Sequence, residues 1–266
     1  MKLAGKTILL TGASGGIGSA LARELAAEGA TLLLQGRQLA RLERLRAQLP
    51  EPERHRCITA DLATPAGRDQ LLRDPALPGS IDILINNAGS NVFAWLEDQS
   101  ASQIDEQIAV NVAAPIQLTR ALLPKLARPG LVMNIGSSFG GIGYPGYSVY
   151  CAAKFALRGF SEALGRELEG SGIQVLYFAP RATRTEINSH AVYAMNAELG
   201  ARTDSAEFVA ACVVEALTRE TRRRWLGWPE GFFVRLNSLF PGLVDRALAK
   251  QLPIIARYAR STQQEI

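Results

Sequence analysis

Short, continuously apolar runs recur along the chain at Thr7–Leu10, Thr31–Leu34, Cys57–Ala60, Ile81–Ile85, Leu131–Ile135, Ile173–Phe178 and Trp225–Trp228. A strand with one wet face alternates apolar and polar residues, whereas an unbroken apolar run predicts a strand covered on both faces, as in a parallel sheet between helices. The intervals leave room for those helices, and helical spacing predicts them over Ile17–Ala27, Leu39–Leu49 and Ala152–Leu168. Gly29 and Gly170 follow the first and last of these, where a helix C-terminus favours glycine. The alternation predicts an α/β fold: a Rossmann-like doubly wound parallel β-sheet with helices on both faces and right-handed crossovers.

Downstream the pattern weakens. Glu186–Thr203 is of mixed polarity and reads as irregular. It follows the carboxyl end of the sixth strand, where doubly wound sheets bind ligands, so residues 186–204 are predicted to form a lid over the substrate; an ordinary surface insertion is the alternative. Asp204 or Ser205 can cap a helix running through Leu217. Arg222-Arg223-Arg224 then lead into a seventh, edge strand at Trp225–Trp228, and Pro241-Gly242 opens a short helix with Leu243, Val244, Ala247, Leu248 and Leu252 on one face. The expected organisation is a cofactor-binding catalytic body over 1–218 and a last strand plus basic amphipathic helical extension over 219–266.

Composition narrows the class. With 47% hydrophobic and 20% charged residues in 266, disorder and a multi-span membrane protein are excluded. Three cysteines without a CxxC pair and two isolated histidines support neither a disulfide framework nor a metal site, so no metal is expected. The apolar run Ile8-Leu9-Leu10 ends too soon for a signal peptide, and a cytoplasmic location is expected. The net charge of +4 is concentrated: residues 219–260 hold nine basic and three acidic groups, leaving the remainder slightly acidic. Nucleic acid is not expected as a partner, since no recognition module accompanies this charge. Either the tail packs over the substrate cleft or a partner subunit, or its arginines and aromatics hold it against an anionic membrane.

The first strand runs into Thr11-Gly12-Ala13-Ser14-Gly15-Gly16-Ile17-Gly18 and then a helix. Glycines at a strand–helix turn let a pyrophosphate approach the helix N-terminus, whose free N–H groups and dipole favour an anion. Further on come Asn86-Asn87-Ala88-Gly89 after the fourth strand, Asn111 in the next helix, Ser137 after the fifth strand, and Tyr150-Cys151-Ala152-Ala153-Lys154. In this order and spacing the chain resembles the short-chain dehydrogenase/reductase family over roughly residues 5 to 218.

The resemblance implies Asn111, Ser137, Tyr150 and Lys154 as the catalytic set. Tyr150 would donate a proton to the developing alkoxide, Ser137 would hold the carbonyl oxygen, Asn111 would order a water, and Lys154 would bind the nicotinamide ribose. The four-residue spacing of Tyr150 and Lys154 puts them on one helix face, so a lysine cation can favour the phenolate. Bringing a phenol from its usual pKa near 10 toward neutrality takes about 3–4 kcal/mol. The family's serine-to-tyrosine spacing selects Ser137 rather than Ser138, leaving Ser138 as a loop hydrogen-bonding residue.

The same resemblance assigns the cofactor to Gly12, Ser14, Gly16, Ile17, Gly18, Asp61, Leu62, Asn87, Ala88, Gly89, Tyr150, Lys154, Pro180, Thr183 and Thr185. The second strand ends in Gln35-Gly36-Arg37, with no carboxylate placed to accept from a ribose 2′-hydroxyl. Arg37 instead matches a 2′-phosphate, and NADP(H) is expected over NAD(H); the other reading of Arg37 is a solvated arginine opening a charged helix. Arg181 stands where the family usually has glycine. Either it meets an anionic group of the substrate or it points to solvent.

These features predict an NADP(H)-dependent oxidoreductase, acting between a hydrophobic ketone or aldehyde, a class that includes 3-oxoacyl and steroid-like compounds, and the corresponding secondary alcohol, assembled as a homodimer or homotetramer. A catalytically idle NADP-binding regulator or scaffold of the same fold is the alternative.

Overall fold

A computed structural model describes residues 1–261. Seven strands form one sheet in the order β3-β2-β1-β4-β5-β6-β7. They are β1 (Thr7–Leu10), β2 (Thr31–Gly36), β3 (Arg56–Thr59), β4 (Ile81–Asn86), β5 (Leu126–Ile135), β6 (Ile173–Ala179) and β7 (Arg223–Trp225), all paired in parallel. Because successive side chains of a strand point to opposite faces, each apolar run feeds two cores. Ile8 and Leu10 join Leu32, Leu34, Ile83 and Ile85 beneath helices α1 (Gly16–Ala27) and α8 (Ala206–Thr218). Leu9, Leu33, Leu84 and Val132 face the other way, against α3 (Pro65–Arg73), α5 (Ala114–Leu122) and α6 (Ser148–Glu167). Each such fully buried Leu or Ile stabilises the fold by about 1.5–3 kcal/mol over its exposed state.

The sheet order reverses between β1 and β4, so the loops at their carboxyl ends diverge and leave a crevice. Three elements close it. The lid contains a helix, α7 (His190–Glu198), where the sequence reads as irregular; Ser189 caps it by accepting from Val192 N at 3.4 Å. Only Val192 and Met195 are buried in α7, so no continuous apolar stripe announces the helix. The tail contributes α9 (Glu230–Leu239), not expected from sequence, and α10 (Pro241–Ser261). The sequence reads as a short helix here, but α10 runs on through Pro253, which lacks an N–H and breaks an i→i−4 bond. The helix continues because Ile255 and Ala259, both 0% exposed, pack with Phe93, Tyr147, Val192 and Met195.

Two further boundaries differ from expectation. The edge strand is Arg223–Trp225 instead of Trp225–Trp228: Gly227, at φ +100°, turns the chain away just after Leu226 N bonds to Ala179 O. Its arginines interrupt the apolar run but are held at the sheet edge, Arg224 by Glu215 at 2.6 Å and Arg222, just before the strand, by Glu169 at 3.0 Å. Ser205 rather than Asp204 caps α8, accepting from Phe208 N at 3.1 Å.

Candidate active site

The glycine turn after β1 and the segment after β4 are stitched together by Thr11. Its Oγ1 accepts from Asn87 N at 2.9 Å and Ala88 N at 3.0 Å, while Asn87 Nδ2 donates to Thr11 O at 2.9 Å and Gly12 O at 3.2 Å. Gly12 has φ +64°, and a Cβ there would lie 2.8 Å from Ala88 Cα. Gln35, missed in the sequence, braces the turn from below: Oε1 accepts from Gly12 N at 3.1 Å and Nε2 donates to Ala60 O at 2.8 Å. A buried glutamine closing the run Leu32-Leu33-Leu34 was the available signal. Helix α1 begins at Gly16 with Gly15 as its N-cap and no side-chain cap, so its first N–H groups face the crevice unclaimed by a capping side chain.

Helix α6 carries Tyr150 and Lys154 one turn apart, and both line the same cavity as Ser137 and the glycine turn. Lys154 is buried, its Nζ donating to Ile135 O at 3.1 Å and lying 5.6 Å from the Tyr150 ring centre. Tyr150 is half-buried in the cavity wall, and the dry protein around its hydroxyl pushes its pKa up to about 12, with a hydrogen bond to Ser137 pulling it partly back. Burial lowers Lys154 to about 8. The expected depression of the phenol is therefore not a property of this site as the protein alone builds it: desolvation outweighs the hydrogen bond with Ser137.

Ser137 is fully extended at φ −164°, its Oγ accepting from Phe139 N at 3.1 Å, and Ser138 bonds through its backbone to Pro180 O at 3.0 Å. Asn111 sits in a π-turn, Ala109–Ala113, between α4 (Ala101–Ile108) and α5. The turn is wide enough to aim its side chain inward, a placement common at functional sites. Asn111 Nδ2 donates to Ser90 O at 2.8 Å and Gln107 O at 2.9 Å, whereas its Oδ1 is buried without a partner. A Cβ on Gly89 would stand 3.0 Å from that oxygen and 3.7 Å from Lys154 Nζ, so the glycine keeps open the space between them. An unsatisfied buried acceptor beside a lysine, next to a glycine cradle at a helix N-terminus, fits a dinucleotide with polar ribose and phosphate groups.

At the outer end, Arg37, Asp61 and Leu62 line the cavity with Ser14, Ile17 and Gly18. Arg37 is 72% exposed and 3.6 Å from Glu106, and Arg41 of α2 (Leu39–Arg46) is 3.3 Å from Glu186 at the start of the lid. At the inner end, Pro180, Thr183 and Thr185 also line the wall. The Thr185 side chain rests on the glycine turn, where a Cβ on Gly16 would come within 2.5 Å of its methyl, and Thr185 N donates to Tyr193 Oη of the lid at 2.8 Å.

Arg181 follows neither reading made from sequence. It holds Asp204 in a two-pronged pair, Nε to Oδ2 at 2.8 Å and Nη2 to Oδ1 at 2.6 Å, and reaches Glu230 at 3.5 Å. Its charge is thus spent inside the protein, with the side chain 14% exposed.

Over Tyr150 the cavity, of about 840 Å³ in all, is walled by Phe139, Ile187, Val192 and Met195, and by Phe233 and Leu248 of the tail. The tail therefore packs over the cleft. The sequence could not place these side chains there, because they lie far along the chain from the cofactor turn. Among the described residues no group of acidic, His and Cys side chains could hold a metal ion.

A family model described as short chain dehydrogenase matches residues 6–196. The chain is 32% identical over 264 residues to Dehydrogenase/reductase SDR family member 7B of Bos taurus, covering 92% of this chain and 80% of that protein. It is similar to a short chain dehydrogenase from Burkholderia cenocepacia in complex with NADP, at 30% identity and TM-score 0.77, covering 87% of this chain and 100% of the other. A short chain dehydrogenase/reductase from Burkholderia phymatum in complex with NAD, 22% identical, shares the fold, at TM-score 0.79 over 91% of this chain and 96% of that one. The chain belongs to the short-chain dehydrogenase/reductase family, oxidoreductases that interconvert alcohols and carbonyls with a nicotinamide dinucleotide.

Proposed function

We propose that the protein is an NADP(H)-dependent reductase of hydrophobic ketones or aldehydes, or equally a dehydrogenase of the matching secondary alcohols. The observation that carries this reading is one cavity wall presenting Ser137, Tyr150 and Lys154 beneath the apolar side chains Phe139, Ile187, Val192 and Met195, with the buried, unsatisfied Asn111 Oδ1 behind Gly89. The nicotinamide, when bound, supplies or accepts the hydride at the carbonyl carbon.

The residues do the rest. Ser137 holds the carbonyl oxygen and Tyr150, protonated throughout the neutral range, gives it a proton. Lys154 stands behind the phenol as a cation, and Asn111 Oδ1 accepts from a water that returns the proton. Gly12, Ser14, Gly16, Ile17 and Gly18 carry the pyrophosphate, and Asn87, Ala88, Gly89, Pro180, Thr183 and Thr185 carry the nicotinamide half. Asp61 and Leu62 take the adenine, and Arg37 takes the 2′-phosphate, a choice supported by the absence of a carboxylate at the end of β2 and by the NADP-bound relative.

The test is a panel of apolar ketones and aldehydes with NADPH and NADH. Turnover that falls at least about a thousandfold in Tyr150→Phe supports the enzyme; cofactor binding without turnover on any carbonyl would assign the protein to a regulatory role instead. Arg37→Ala is expected to raise KM for NADPH about tenfold while leaving that for NADH unchanged, as removal of one partly screened charge pair requires.

A further inference from the structure

The exposed apolar surface of the protein is gathered at one place. Of the large hydrophobic side chains left in solvent among the described residues, seven lie between Trp228 and Leu252 and six are scattered over everything before. Trp228 is 73% exposed, Leu239 72% and Phe240 58%. Trp228 and Phe232 pack with ring centres 5.5 Å apart and planes tilted by 47°, so the aromatics form a patch and not isolated points. The same helices expose Arg235, Arg246 and Lys250, none in an ion pair among the described residues. Of the tail's acids, Glu220 is taken by the N-terminal amine at 3.0 Å and Glu230 by Arg181, leaving Asp245 to offset three cations. Phe233 and Leu243 belong both to this exposed patch and to the cavity wall, so the patch runs into the mouth of the site.

We propose that the α9–α10 surface is a docking face for an anionic lipid bilayer, with the mouth of the substrate cavity opening at the contact. Aromatic and leucine side chains bordered by arginine and lysine are the set that settles at headgroup depth. No described helix is long and apolar enough to cross a membrane, so the contact is one of lying on the surface. A second copy fits the same face poorly, because a two-fold contact would set the unpaired cations of one patch against those of the other.

The test is flotation of the full chain with phosphatidylcholine vesicles containing about 30% phosphatidylglycerol, and with pure phosphatidylcholine, scored by partition. The full chain should float with the anionic vesicles and about tenfold less with the neutral ones. Trp228→Ser/Phe240→Ser should lose about tenfold in partition, as should Arg235→Gln/Arg246→Gln/Lys250→Gln. These side chains are exposed and none lines the cavity, so NADPH binding serves as the control for folding. Failure of the full chain to bind anionic vesicles, or partition of either variant equal to that of the parent chain, overturns the proposal. So does a lipid-free dimer that the Trp228→Ser/Phe240→Ser variant dissolves, which would give the face to a second copy.

Discussion

Burial moves Tyr150 and Lys154 in opposite directions, the phenol up to about 12 and the ammonium down to about 8. In the proposed mechanism reduction needs a protonated Tyr150 and a charged Lys154, so kcat/KM for reduction should be flat at neutral pH and decline as pH rises through about 8, following the lysine and not the tyrosine. A decline beginning only near 10 would show that Lys154 keeps an ordinary pKa. The lysine also carries a stability cost. Its folded pKa lies below the unfolded value, so the penalty is fully present below pH 8 and is relieved as pH rises from about 8 to 10.5. That displacement corresponds to about 3 kcal/mol, of which about 1 kcal/mol is returned by the bond to Ile135 O. Lys154→Met should therefore unfold at a higher temperature at pH 7, by a stability of about 2 kcal/mol, while losing activity; thermal denaturation followed by circular dichroism reads the change. Spacing and resemblance single out Tyr150, Lys154, Ser137 and Asn111 as the candidate set, and the structure brings Tyr150, Lys154 and Ser137 to one cavity wall, but the direction of the phenol's pKa was not legible. It depends on how much dry protein surrounds the hydroxyl, and residues from several elements supply that.

At the scale of elements, Arg181 ties together the loop after β6, the end of the lid at Asp204 and the start of α9 at Glu230. The end of the lid is fixed beside it by an isolated bridge between Thr183 and Asp204, with Asp204 N donating to Ala182 O at 2.9 Å. Asp204 is 7% exposed at its side chain. Arg181→Gly, which restores the family's usual residue, leaves that carboxylate buried and unpaired, and should destabilise the fold by about 3–5 kcal/mol. Limited proteolysis should then cut first in the lid or at the start of α9. If the melting temperature and the cleavage pattern stayed as in the parent, the latch would have no structural weight. Sequence showed an arginine in an unusual place but neither carboxylate, since partners 23 and 49 positions away share no local pattern with it. The helices α7 and α9 escaped for a related reason: each buries one narrow face against a partner that only the folded chain brings near.

For the whole molecule, the surface of α4 and α6 exposes Ile108 and Phe155, each 40% accessible, on the helices that carry the turn of Asn111 and the pair Tyr150–Lys154. A homo-oligomer formed through these helices would cover them, and light scattering after size exclusion should give a dimer or tetramer that Ile108→Arg/Phe155→Arg converts to monomer. A parent that is already monomeric would count against it. The parallel sheet, its two helical layers, the glycine turn and the one-turn separation of Tyr150 and Lys154 could be read from the residues alone, because period, glycine position and one-turn separation are all written within a few residues. So could the surplus of positive charge beyond residue 218. What the tail does to the cleft, which carboxylates Arg181 pairs with, and which acceptor is left unsatisfied at Asn111 emerge only in the folded chain. Those outcomes depend on side chains remote in sequence meeting in one place, and local pattern carries no information about such meetings.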